Sequence, residues 1–223
     1  MKEVVTDKFA DAVRDYSSLL NKGYPEKRTL DLVGDHYSLS RHQRILLYRG
    51  LSDRQTAAER RKKLTGSIRK KEISIDTYNV LLTVANYLYG RVVFLGNDGF
   101  LRDAGEVFGS ILQDDIFYKG VDLFFGFLHE NRVIKCTLYI DSPVSYSGRF
   151  AEELRARLKE TGIEGSAETV RSPDYRLKKE TGTVICTSDS AVIDAAVSPL
   201  FDLARAILDE NFKPGYIDLR EYL

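Results

Sequence analysis

The chain is 223 residues long, 43% hydrophobic and 30% charged, with 33 basic and 33 acidic side chains and no net charge. That balance describes a folded, water-soluble chain and excludes a disordered or collagen-like one. No apolar run approaches the ~20 residues that span a bilayer. The opening "MKEVVTDKFADAVRDY" has acids from Glu3 onward and lacks a secretory apolar block, so the expected compartment is the cytoplasm, with no membrane partner.

The zero sum conceals a segregation. Residues 1–71 hold 17 Lys and Arg against 9 Asp and Glu, and the rest of the chain holds 16 against 24. Between 41 and 71 there are 11 basic residues and only Asp53 and Glu59 opposing them. Two units with different electrostatic roles are expected: a basic helical module over 1–71 and an α/β domain over 72–223.

In chain order, residues 4–21 place Val5, Phe9, Ala12, Val13, Tyr16 and Leu20 on one helical face. "NKGYP" breaks that helix, and Pro25 opens a short one ended by Gly34. Ser40 is an N-cap for "RHQRILLYRG", which Gly50 stops, and a basic helix follows over 54–64. From 72 the pattern alternates. Strand-like "EISID", "VVFLGND", "VIKCTLYID", "SAETVR" and "GTVICTSD" are separated by helical "NVLLTVANYLYG", "GRFAEELRARLKETG" and "PDYRLKKET" and by a stretch over 103–130. Such alternation predicts a three-layer α/β domain with a mostly parallel central sheet. Ser147 and Gly162 are the expected cap and terminator of the helix over 147–161.

Three strand-like runs end in aspartate: Asp76, Asp141 and Asp189. In open α/β sheets the functional crevice lies outside the carboxyl ends of the strands, so these side chains should converge. Asp174 joins them from a helix start, behind Ser172 and Pro173. Asp98 closes a further strand-like run, with Asp103 just downstream; Asp98-Gly99 is equally a turn signal. Carboxylates about 4 Å apart repel by ~4 kcal/mol at an effective dielectric near 20, so a cluster must be protonated or neutralised. Hard oxygen donors without histidine suit Mg2+ or Mn2+. A pair of such ions activates water in phosphodiester hydrolysis. Cys136 and Cys186, each inside a strand-like run, read as buried reduced thiols. His36, His42 and His129 are too scattered for a zinc site.

The segments "IDTYNVL", "LYIDSPVS", "SPDYRL" and "VICTSDSAVI", in that order, resemble the aspartate series of PIN-like nucleases, in particular the NYN branch. The resemblance spans residues 72–200. It implies a PIN-like fold, with Asp76, Asp141, Asp174 and Asp189 as catalytic metal ligands and Asn79 in support; Asp98 and Asp103, placed by their own strand-like run, are expected as a further ligand and a supporting residue. Thr187 and Ser188 would hydrogen-bond a carboxylate or phosphate. RNA is the substrate it favours, and a homodimer is consistent with it. "LLNKGYPEKRTLDLVGDHYSLSRHQRILLYRG" resembles a prokaryotic family catalogued as domain of unknown function 434, which implies no activity.

"SPVSYSG" after Asp141 is a turn and helix start, where Ser145, Ser147 and the backbone near Gly148 could also grip a phosphate. Arg41, Arg44, Arg49, Arg60, Arg61, Lys62, Lys63, Arg69 and Lys70 form the candidate nucleic-acid-binding set, with Tyr24, Tyr37 and Tyr48 available to stack on bases or to fill the core. Two rivals fit the same residues: a binding protein that has lost its metal chemistry, and a small-molecule phosphatase using the acidic cluster.

Overall fold

A computed structural model describes residues 4–105 and 114–223. Four helices come first: α1 (Asp7–Asn21), α2 (Glu26–His36), α3 (Arg41–Gly50) and α4 (Arg54–Lys63). Next are β1 (Glu72–Asp76), α5 (Thr77–Leu88), β2 (Val93–Leu95) and β3 (Leu101–Asp103). Then come α6 (Asp115–Glu130), β4 (Lys135–Asp141), α7 (Ser147–Thr161), β5 (Glu164–Val170) and α8 (Pro173–Leu177). The chain ends with β6 (Val184–Cys186), α9 (Ser190–Ala195), β7 (Leu200–Phe201), α10 (Leu203–Phe212), β8 (Ile217–Asp218) and a 3-10 turn at Leu219–Tyr222.

The described residues pack as two units. One comprises residues 4–62, 90–105 and 215–223; the other comprises 63–89 and 114–214. The first holds the expected helices together with a small sheet of order β3-β2-β8. The run at 92–98 therefore belongs to the helical unit, where it folds back through Asn97-Asp98-Gly99 to pair β2 with β3 antiparallel. Gly99 adopts φ 85°, which the turn requires and most side chains resist. Phe9, Tyr16, Leu46, Leu47, Phe94 and Leu219 are fully buried in one core, so segments distant in sequence share it.

Local signals explain the helices. Ser40 and Gln43 close a capping box at α3, with Gln43 N–H donating to Ser40 Oγ and Ser40 N–H to Gln43 Oε1. Gly34 does not stop α2, which continues to His36. The glycine instead makes room for the Arg44 guanidinium, which a Cβ would strike.

The second unit is built on a sheet of order β5-β4-β1-β6-β7, every pair parallel. Central β1 is buried on four of its five residues, as expected of a strand covered on both faces. Right-handed crossovers place α5, α6 and α7 over one face and α8 and α9 over the other. The packing of α6 on α5 and α7, and of α8 on α9, β1 and β4, agrees. Of the 103–130 stretch, residues 106–113 lie outside the described residues; 115–130 are α6, whose Phe117, Phe124 and Phe125 are core. Cys136 and Cys186 are buried free thiols, and burial pushes both well above their usual range. Gly162, at φ 69°, ends α7 as expected. Ser147 is not its cap: Tyr146 occupies that position, and Ser147 Oγ donates to the Ser142 carbonyl at 3.1 Å.

Candidate metal centre

Numbered within itself, the five-stranded sheet has the doubly wound order 3-2-1-4-5, in which the chain runs outward on one side of its first strand and then on the other. The crevice of such a sheet opens at that reversal, beyond the carboxyl ends of the strands. Asp76 is the last residue of β1, at the reversal. Its partner in β4 is Tyr139, which sets Asp141 two residues further out on the neighbouring strand. On the other side Ile75 pairs with Cys186, so Thr187, Ser188 and Asp189 leave β6 beside Asp76. Asp174 arrives from the first turn of α8, just beyond β5.

Hydrogen bonds fix this edge. Thr187 Oγ1 donates to Asp76 Oδ2 at 3.1 Å and accepts from the Asp189 amide at 3.1 Å. The Asn79 side-chain carbonyl accepts from Ser188 N–H at 2.8 Å and from Ser188 Oγ at 3.1 Å. The start of α5 is thereby tied to the loop after β6. Asp76 also caps α5, and Asp189 caps α9 by accepting from Val192 N–H at 3.0 Å.

The electrostatics join the four carboxylates. Asp76 is 5% exposed, and burial, with further repulsion from Asp174 and Asp141, pushes its pKa up to about 7 against the bond from Thr187. Asp141 is raised by burial and by Asp174. Burial and Asp189 raise Asp174, where Lys178 gives partial relief. Asp76, Asp141 and Asp174 thus each feel another carboxylate of the set.

The donor set fits a hard divalent cation: four carboxylates, one of them buried and short of positive charge. The arrangement is open, and among the described residues no three Asp, Glu, His or Cys side chains are set to close on an ion as they stand. Asp141 and Asp174 are only partly buried.

Other expected residues belong elsewhere. Asp98 is not available as a ligand. It lies in the helical unit, buried, and Arg102 grips it with Nη1 on Oδ1 at 2.8 Å and Nη2 on Oδ2 at 2.7 Å. Arg60 adds a third contact at 3.1 Å. Asp103 sits in the same unit, beside Arg49, which donates to its carbonyl at 2.8 Å. The turn reading of Asp98-Gly99 is the correct one.

The basic block is largely structural as well. Arg44 pairs with Asp35 at 2.8 Å, Arg49 and Arg60 bind as described, and Arg61 donates to the Asn97 carbonyl. Lys63 donates to the carbonyls of Ile193 at 2.7 Å and Asp194 at 2.9 Å. Arg41, Lys62, Arg69 and Lys70 are exposed. Tyr37 donates to Asp15 at 2.7 Å, while Tyr24 and Tyr48 are exposed, Tyr48 contrary to a core placement.

A pocket of about 360 Å³ opens at the start of α7, in the segment that follows Asp141. It is lined by Tyr78, Tyr118, Ser145, Tyr146, Arg149, Phe150 and Glu153. Of these only Ser145, which is exposed, stood among the candidates. The signal was present in the tyrosine that follows Ser145 and in the Arg149–Glu153 spacing, one helical turn apart.

Fold and site together define a parallel α/β protein with a carboxylate crevice at its switch point. Residues 65–206 match the family described as "Domain of unknown function (DUF5616)", and residues 8–63 match "Protein of unknown function (DUF434)". The chain belongs to the DUF5616 family. It is 34% identical over 185 residues to "Uncharacterized protein MJ0935" of Methanocaldococcus jannaschii, covering 82% of this chain and 87% of the relative. No solved structure matches it. Among the described residues no helix is long and apolar enough to cross a membrane.

Proposed function

We propose that this protein is a PIN-like, metal-dependent nuclease that hydrolyses phosphodiester bonds, with RNA as the favoured substrate and Mg2+ or Mn2+ as the cofactor. The observation that supports it best is Asp76: a carboxylate buried at the switch point of a parallel sheet, with three more aspartates acting on it or on one another. A structural cap needs one acceptor and gains nothing from that repulsion, whereas a cation site requires the accumulated charge.

Asp76, Asp141, Asp174 and Asp189 would hold the ion, which when bound supplies positive charge against the phosphate oxygens and favours ionisation of the attacking water. The remaining work belongs to the chain. Thr187 orients Asp76 through Oδ2, and Asn79 fixes the loop that presents Asp189. Asp141 and Asp174 are half-buried and so remain accessible to a phosphate.

The test is cleavage of end-labelled single-stranded RNA in Mn2+ by wild type and Asp189→Asn. Wild type should cut, and the variant should lose at least about 100-fold in rate. Absence of Mn2+-dependent cutting by wild type, or equal cutting by both, overturns the reading. The openness of the carboxylates favours one rival, a protein of the same fold that binds RNA without cutting it; retained affinity with no cleavage would identify it.

A further inference from the structure

We propose that the pocket at the head of α7 seats one unpaired base of a single-stranded nucleic acid, next to the phosphate presented to the aspartates. The proposal rests on the nuclease reading and adds a substrate-binding subsite to it.

Position is the first reason. Tyr78 lies two residues after Asp76, and Ser145 and Tyr146 follow Asp141 by four and five residues. Asp141 also acts electrostatically on Tyr78, so a strand whose phosphate reached the carboxylates would pass close to the pocket.

Composition is the second. Four of the seven lining residues are aromatic, and three of the walls are already organised. Tyr78 and Phe150 stack with centroids 5.7 Å apart and planes 10° from parallel, and Phe117 backs Phe150 at 5.6 Å. Tyr118 donates to Glu153 Oε2 at 3.0 Å, which directs that carboxylate to accept from a base N–H. Arg149 lines the same pocket, near enough to Tyr118 to act on its hydroxyl, and its planar guanidinium can lie on a ring face or meet a phosphate.

Tyr146 is the third reason. Its side chain is 70% exposed, and its backbone holds φ 65°, a left-handed conformation unusual for a bulky residue. The fold thus keeps a large aromatic in water at the mouth of an aromatic pocket, where a flat ring could close over it. A base inside a duplex has both faces stacked and its edge paired, and cannot enter.

The experiment uses the full-length protein in EDTA and a fluorescein-labelled single-stranded RNA decamer, read by anisotropy. A set of decamers carries one abasic site at successive positions. One position should weaken binding by about 10-fold, and Tyr146→Ala should weaken the intact decamer by a similar factor while becoming indifferent to that abasic site. Tyr146→Phe should restore affinity, and the same sequence as a duplex should bind more weakly. The proposal is overturned if Tyr146→Ala and Arg149→Ala bind every decamer as wild type does, or if the abasic series is flat. Cleavage by wild type with a flat series would remove the subsite and leave the nuclease. A single sensitive position with no cleavage in Mn2+ would do the reverse.

Discussion

Asp76→Asn should abolish cleavage and at the same time stabilise the metal-free protein above neutral pH. The sign follows from linkage. Asp76 titrates near 7 in the fold against 3.8 in a free chain, so between pH 4 and 7 the folded state holds a proton that the unfolded state has lost. Stability therefore falls as pH rises through that window, by up to about 4 kcal/mol, and stays low above it. Asparagine cannot ionise and keeps the shape, and Thr187 can rotate to accept from its amide. Thermal melts in EDTA should show wild type losing stability between pH 4 and 7 and the variant losing much less, ending about 10 °C higher at pH 8. A residue whose removal strengthens the fold while destroying activity is retained for function. Parallel pH profiles for the two proteins would show that Asp76 is an ordinary cap.

The second large effect lies in the helical unit and has the opposite sign. Asp98→Asn leaves Arg102, only 2% exposed, without a full counter-charge, and weakens Arg60 as well. Breaking a buried pair from one side costs about 3–5 kcal/mol, because the remaining charge stays desolvated. The variant should melt about 10 °C lower and, at temperatures where it is folded, should cleave and bind Mn2+ as wild type does. Unchanged stability, measured by urea denaturation, would contradict this structural role. Asp76 at a strand end and Asp98 in a turn are thus both buried aspartates, and the partner decides their meaning: repelling carboxylates in one case, two guanidinium groups in the other.

That contrast also marks what could be read from the residues alone. Asp76, Asp141, Asp174 and Asp189 were legible because parallel strands all end on the same edge, so an aspartate at each end is a statement about position. The alternation of strand and helix after residue 72 and the caps at Ser40 and Gly162 were legible for the same local reason. Asp98 misled because a strand followed by Asp-Gly reads alike in any sheet; nothing in "VVFLGND" says that the run leaves the α/β unit and pairs with residues 217 and 218. The partners of the basic block were hidden for a related reason. Arg44, Arg49, Arg60 and Arg61 look like a solvated stripe until the fold brings Asp35, Asp103, Asp98 and the Asn97 carbonyl to them. Long-range partners of this kind leave no periodic trace. The aromatic pocket escaped because its walls come from α5, α6 and α7, with Tyr146 held in a backbone conformation that no propensity predicts.

The central claim is that four aspartates distant in sequence make one divalent-cation site. Thermal melts at pH 8 across a Mn2+ titration test it most directly, on wild type and on Asp76→Asn, Asp141→Asn, Asp174→Asn and Asp189→Asn. Wild type should gain stability with a saturable dependence on Mn2+, and each variant should lose most of that gain. No Mn2+-dependent shift in wild type, or a shift of equal size in all five proteins, would contradict the claim.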